Sequence, residues 1–459
     1  MTHHLILGAG PAGVIAAETI RKHAPGDTIT IVGDEKEPPY SRMAIPYLLM
    51  GNVDERGTYL RKSPSHFKDI KVNLVHASVK RVDIAAKKIA LDNDESITFD
   101  TLLIATGSHP VRPPIPGIDA AGVHSCWTLD DARAIMALAT PGARVLQLGA
   151  GFIGCIIMEA LSARGVHLSV VEMGDRMVPR MMGPAAGGMI KNWCQSKGVD
   201  VFTAAKVEGI TQADGAAGAA STGLIDKIAN IIGMGSPASA ASNGPGPLLA
   251  KLSTGQTIEA DVIISATGVK PTIGFLRDSG IQTNIGVLAD DRMQTSVPGV
   301  YVAGDCAEAF DNFTGTAVVS AIQPNAADQA RIAALNMVGQ NASLRQVTQI
   351  NVLDTLGLVS TSFGSWQGVA GGEQIELKDD TGYKLLSMQF KDDVMVGCNS
   401  IGWTDHIGAL RGLVEGKVKL GEWKTKLQAD PTQLMAAYLA TAQAQGQWSG
   451  SADVGRRGH

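Results

Sequence analysis

Near its N-terminus the chain carries Leu5-Ile6-Leu7-Gly8-Ala9-Gly10-Pro11-Ala12-Gly13, a short apolar run ending in three spaced glycines. The spacing suits a strand that turns sharply into a helix. Gly8 allows the tight turn, Gly10 lets the main chain approach a pyrophosphate, and Gly13 lets the helix lie close on the strand. Pro11 and Ala12 start that helix, whose N-terminus offers N–H groups and partial positive charge to phosphates. A helical stretch follows from Val14 to His23, and Thr28-Ile29-Thr30-Ile31-Val32 reads as a second strand ending at Gly33-Asp34-Glu35. An acid about 20 positions past the glycines accepts bonds from a ribose hydroxyl. Asp34 and Glu35 both fall there, and Glu35 is favoured. Strand, glycines, helix and acid together outweigh the plain reading of a glycine-rich loop.

The same grammar returns about 140 residues further on. Arg144 to Leu148 runs into Gly149-Ala150-Gly151-Phe152-Ile153-Gly154, a helix extends to about Arg164, and the strand His167 to Val171 ends at Glu172. A carboxylate at Glu172 bonds the adenosine 2′-hydroxyl and repels a 2′-phosphate, which favours NADH over NADPH. Arg176 and Arg180 lie just downstream and read as a solvated loop. A second unit that has lost its ligand is the alternative, opposed by the retained glycines and acid. Two bound dinucleotides imply hydride transfer from a nicotinamide to a flavin at their junction.

Composition agrees. At 459 residues the chain has room for about three domains. Its 53 glycines exceed the usual share, charged residues are 18 %, and the net charge is −5. That balance excludes nucleic acid as a main partner. The five cysteines contain no C-x-x-C pair, which suits a reducing compartment and excludes a disulfide framework or a cysteine-ligated cluster. No leader pattern and no run of about 18 apolar residues is present, so a cytoplasmic protein is expected. The sequence offers no metal-ligand cluster, no H-E-x-x-H and no nucleophile elbow. Residues 213–247 interrupt the pattern like an insertion in a β-hairpin. Within them Leu224, Ile225, Ile228, Ile231 and Ile232 share one helical face, the one place where membrane or partner contact is expected; a covering role over the second unit is the plainer reading. Later, Tyr383 to Phe390 and Val394 to Ile401 read as a hairpin, followed by helices from about Thr404 and Pro431.

Three further motifs carry a family resemblance. Leu103-Ile104-Ala105-Thr106-Gly107 and Ile264-Ser265-Ala266-Thr267-Gly268 resemble paired strand-end A-T-G motifs, and Val300-Tyr301-Val302-Ala303-Gly304-Asp305-Cys306-Ala307 resembles a second FAD motif. Together with the glycine turns, these resemble the pyridine-nucleotide disulfide oxidoreductases and their rubredoxin reductase, ferredoxin reductase and nitrite reductase flavin-subunit relatives. The resemblance implies an α/β fold: two Rossmann-like three-layer domains plus a C-terminal α+β interface domain. FAD would be held by residues 1–115 and 270–335, NAD(P)H by residues 116–269, and a homodimer formed through residues 340–440, with residues 441–459 a flexible tail. Asp305 would hold the ribityl chain, beside Ala105, Thr106, Gly107, Gly304 and, in the second unit, Gly268. The stretch Trp403 to Leu410 is similar to the helix start of the interface domain, where His406 reads as structural.

Two departures matter. Pro39 to Tyr47 resembles the segment beside the flavin, yet Met43 stands where relatives carry a redox cysteine. A thioether forms no thiolate, so a thiol relay is disfavoured. Tyr47 and Ile156 stand where rubredoxin reductase-type members place a lysine–glutamate pair. An apolar flavin edge is therefore expected, with Tyr47 stacking near it and Arg42 as a nearby cation; no catalytic side chain is assigned beyond these two. Cys155 reads as packed within its helix. The resemblance implies an FAD-dependent NAD(P)H oxidoreductase that passes electrons from NADH to a small iron–sulfur or rubredoxin-type carrier. The alternatives are an NADH oxidase reducing dioxygen or a small quinone, and a flavin-binding subunit of a larger redox complex.

Overall fold

In the computed structural model, which describes residues 1–213, 246–311, 315–344 and 350–443, the first apolar run becomes the middle strand of a five-stranded parallel sheet. His3–Leu7 lies between Thr28–Gly33 and Thr101–Ile104, with Val72–His76 outside the former and Val300–Val302 outside the latter. Leu5, Ile6 and Leu7 are fully buried, as a parallel strand covered on both faces requires. Helix Pro11–His23 turns Ala16, Ala17 and Ile20 inward and packs beside helix Gln323–Met337. Proline at its start and Arg21, Lys22 and His23 in its last turn suit the helix dipole.

The second unit repeats this plan. Arg144–Leu148 lies between His167–Val171 and Val262–Ser265, with Asp200–Phe202 and Val123–Ser125 at the two edges, all parallel. The repeat runs deeper than the glycine motifs. In each unit a three-stranded antiparallel meander precedes the strand that ends in A-T-G: Val79–Asp83, Lys88–Leu91 and Ser96–Thr98 in the first, Val207–Gln212, Leu248–Leu252 and Thr257–Ala260 in the second. Gln212 pairs with Leu248, so residues 213–247 connect the two strands of a hairpin. The amphipathic stretch 224–232 lies outside the described residues, as does most of the expected tail.

A ribbon joins the units. Ser108–Pro110, just past the first A-T-G, pairs antiparallel with Val269–Pro271, just past the second. The Thr106 hydroxyl donates to the Thr272 carbonyl at 2.7 Å and the Thr267 hydroxyl to the Val111 carbonyl at 3.2 Å. Each threonine of the two motifs thus binds the segment that leaves the other motif.

The C-terminal part is a five-stranded antiparallel sheet, ordered Ile350–Thr355, Leu358–Gly364, Val394–Ile401, Lys384–Lys391, Glu373–Asp379. Phe363, Met388 and Phe390 form its core with Leu410 and Leu413 of helix Ile407–Glu415. That helix starts three residues later than the sequence suggests: the Ser400 hydroxyl donates to the Trp403 carbonyl, and Trp403 to His406 stay in a turn. The helix expected from about Pro431 likewise starts later, at Leu434–Tyr438, and runs on as the π-helix Leu439–Gln443. Helix Glu422–Ala429 was not expected, because Leu427 is its single buried residue and leaves no apolar period to read. Asn399 ties this sheet to the second unit, accepting from the Gly183 amide and donating to the Met181 carbonyl, each at 2.9 Å. Among the described residues no helix is long and apolar enough to cross a membrane.

Close main-chain approaches mark the glycine turns. Gly8 has φ +114°, and a Cβ there would overlap the Ala105 carbonyl oxygen; a Cβ on Gly13 would overlap the Gly8 carbonyl oxygen. Gly13→Ala is therefore expected to lower stability by more than about 3 kcal/mol, read as a fall in the thermal unfolding midpoint. An unchanged midpoint would mean that helix and strand do not need this approach.

Candidate functional site

The first unit's strands carry a cleft at their C-terminal ends, where ligands sit in open α/β sheets. Its empty volume, counting space open to solvent, is about 1550 Å³. The glycine turn, Asp34 and Glu35 line one end. Ala105, Thr106, Gly107, Gly304 and Asp305 line another part, and Arg42 and Met43 a side. The second unit supplies a wall: Phe152, Ile153, Ile156 and Ile157 of helix Phe152–Ala163 face the same space. Most of the first unit's expected site residues thus converge. Gly13 supports the turn from behind, and Gly149, Gly151, Gly154, Glu172 and Gly268 gather at the second turn rather than in the cleft.

Tyr47 does not join them. It is 53 % exposed and lies outside the cleft lining, because the short helix Ile45–Leu49 turns Ile45, Leu48 and Leu49 to the core and Pro46 to the cleft. Ile156, its expected counterpart across the flavin edge, does line the cleft.

The glycines separate into two kinds. Gly8, Gly13, Gly149 and Gly154 are required by the fold, since a Cβ on any of them meets backbone. Gly10 and Gly151 are not. Their φ values of −76° and −77° are ordinary for any residue, and a Cβ would meet nothing within 4 Å. The open space beside each of these helix N-termini leaves room for a phosphate. The two turns therefore fit two dinucleotides.

Charge in the cleft is lopsided. Among the described lining residues Arg42 is the one cation, facing the carboxylates of Asp34, Glu35, Glu37 and Asp305. Arg42 donates to Glu35 Oε1 at 2.6 Å and to the Trp127 carbonyl at 2.8 Å, and the Tyr40 hydroxyl donates to Glu35 Oε2. Trp127 Nε1 donates to the Ser108 carbonyl at 3.1 Å, and the Ser108 hydroxyl to Asp305 Oδ2 at 2.8 Å. Burial raises the Asp305 carboxyl above its usual value, while Ser108 and the Arg42 charge pull it back. Burial also raises the Tyr40 hydroxyl.

At the second turn Glu172 is held by backbone, its two oxygens accepting from the Ala150 and Gly174 amides at 2.8 Å each. Arg176 bonds to the Met182 carbonyl and to Asp175, within its own loop. Gln147, fully buried, donates to the carbonyls of Gly149 and Gly154 and braces the turn. Sequence reasoning missed Gln147, Ser108, Cys126 and Trp127. The only signal for the last two is that they precede the capping box of Thr128 and Asp131.

Two dinucleotide folds closing on one cleft define a dinucleotide-dependent oxidoreductase. Residues 2–330 match the pyridine nucleotide-disulphide oxidoreductase family, and the chain belongs to it. It is an NAD(P)H-dependent FAD oxidoreductase. Over 433 residues it is 29 % identical to the NADH-dependent phenylglyoxylate dehydrogenase subunit epsilon of Aromatoleum evansii, covering 94 % of this chain and 95 % of that one. Over 431 residues it is 28 % identical to an NADH oxidase of Methanocaldococcus jannaschii, covering 87 % of each. Its fold matches a crystal structure of the covalent putidaredoxin reductase–putidaredoxin complex with a TM-score of 0.80 at 19 % identity, over 96 % of this chain and 99 % of the other.

All five cysteines are buried and unpaired. Cys126, which lines the cleft, has its thiol pushed up to about 12 by burial and the nearby Asp131 carboxylate; burial pushes Cys194 up to about 12 and Cys306 up to about 11, and raises Cys155 and Cys398 further. Raised thiols are protonated at neutral pH. The native protein at pH 8 is expected to react with a disulfide reagent far more slowly than the unfolded chain, which should titrate all five. One fast thiol in the native protein would contradict this picture.

Proposed function

We propose that the chain passes electrons from NADH, through FAD held in the cleft, to a small iron–sulfur protein. The observation that carries this reading is the shared cleft: the helix that starts at the second glycine turn presents Phe152, Ile153, Ile156 and Ile157 to the ligand space of the first. A dinucleotide bound at the second turn would thereby have its reactive end beside the ligand of the first.

In this reading the amides around Gly8, Gly10 and Gly13, at the start of helix Pro11–His23, hold the FAD pyrophosphate. Asp34 and Glu35 accept from the ribose; Glu35 keeps lone pairs free although Arg42 and Tyr40 already donate to it. Arg42 supplies the countercharge, Asp305 accepts from the ribityl chain, and the backbone of Ala105, Thr106, Gly107 and Gly304 lines its path. Gly149, Gly151 and Gly154 hold the NADH pyrophosphate, Glu172 its ribose, and Gly268 leaves room beside it. When bound, FAD supplies the two-electron chemistry, accepting hydride from the nicotinamide and releasing electrons to the acceptor. Phe152, Ile153, Ile156 and Ile157 exclude water where that transfer takes place. Met43 and the neutral Cys126 offer no thiolate relay, so the acceptor takes its electrons at the flavin. Putidaredoxin reductase, whose fold this chain shares, is known in complex with putidaredoxin. The second reading, an NADH oxidase, is favoured by the M. jannaschii relative of that name.

Rapid mixing with NADH under argon is expected to bleach the flavin's visible absorption within a turnover time. Reoxidation should stay slow in air and become fast when a small iron–sulfur protein is added. Fast reoxidation by air alone would select the oxidase, and bleaching too slow for turnover would end both readings. Gly10→Val is expected to leave the melting of the apoprotein unchanged while weakening FAD binding by about tenfold or more, measured by flavin fluorescence titration.

A further inference from the structure

Of the four carboxylates lining the cleft, Glu37 is paired with Arg133 from outside the lining, which leaves Asp34, Glu35 and Asp305 with Arg42 as the one lining cation among the described residues. An arginine side chain loses rotamer freedom when it is fixed, and the Arg42 side chain is 35 % exposed. Its usefulness depends on what holds it still. We infer that Trp127 is the positioning residue that fixes the Arg42 charge along the cleft, so that FAD affinity depends on the Trp127 ring through Arg42. This rests on the reading of the cleft as the FAD site.

Arg42 is gripped from several directions. Glu35 and the Trp127 carbonyl accept its N–H groups, and its guanidinium lies 5.3 Å from the Trp127 ring centroid and 5.6 Å from that of Tyr40. Trp127 is itself fixed at both ends. Its amide donates to Asp131 Oδ2 at 3.0 Å, inside the capping box of helix Leu129–Leu138, and its indole donates to the Ser108 carbonyl. Ser108 in turn holds Asp305. A bonded line therefore runs Glu35, Arg42, Trp127, Ser108, Asp305 along the cleft, ending in a carboxylate at either end. Trp127 is the one member of this line that precedes a helix of the second unit, so that unit's packing sets where the first unit's cation stands.

The test is a double-substitution cycle on the full-length apoprotein: wild type, Trp127→Leu, Arg42→Ala and both together. FAD dissociation constants are measured by fluorescence titration at low and high salt, beside each apoprotein's melting midpoint. Trp127→Leu is expected to weaken FAD about tenfold with Arg42 present, the size of a partly desolvated cation–π contact, and scarcely at all in the Arg42→Ala background. Trp127→Phe, which keeps a ring face, is expected to restore most of the affinity, and the salt dependence should fall alike in both single variants. Trp127→Met replaces the leucine variant where that does not fold. Additive losses, or a phenylalanine variant as weak as leucine, would overturn the role of Trp127 and leave the cleft reading standing. Failure of the wild type to take up FAD would overturn both.

Discussion

The architecture depends on one steric constraint, applied twice. The carbonyl of Ala105 lies where a side chain on Gly8 would be, and the carbonyl of Ala266 stands in the same relation to Gly149. Because neither glycine carries a Cβ, the end of each A-T-G strand lies directly against the turn that leads into helix Pro11–His23 or helix Phe152–Ala163. Each glycine turn and its A-T-G strand end, far apart in sequence, meet here through backbone. Glycine's permissive φ is what makes this contact affordable.

From that contact the coupling between units follows. The segments leaving the two A-T-G motifs pair antiparallel as the ribbon Ser108–Pro110 with Val269–Pro271. Arg133 adds a second brace, from helix Leu129–Leu138 to Glu37 and Glu55 of the first unit. Its exposed position keeps the contribution small, but the direction agrees with the ribbon. The apolar wall of helix Phe152–Ala163 is thereby held at a fixed place in the cleft.

What could be read from the sequence was local. The glycine turns, the terminal acids, the A-T-G motifs and the Gly304-Asp305 strand end each lie within a few residues, and local spacing carries their chemistry. What escaped was long-range or directional. Ser108 and Asp305 are 197 positions apart, and nothing in either neighbourhood announces the other. Tyr47 occupies the expected position in the chain, but a five-residue helix can turn it either way, and the burial of Ile45, Leu48 and Leu49 turns it out. Helix Glu422–Ala429 shows the limit of periodicity when a single side chain is buried.

The two parallel sheets differ in when their edge strands are made. Val123–Ser125 precedes its sheet's other strands in the chain, whereas Val300–Val302 arrives after the whole second unit, about 200 residues behind the Thr101–Ile104 strand it pairs with. On the ribosome, the later unit can therefore close its sheet while the earlier one is still missing an edge. Chain order thus supplies every strand of the second sheet before the last strand of the first.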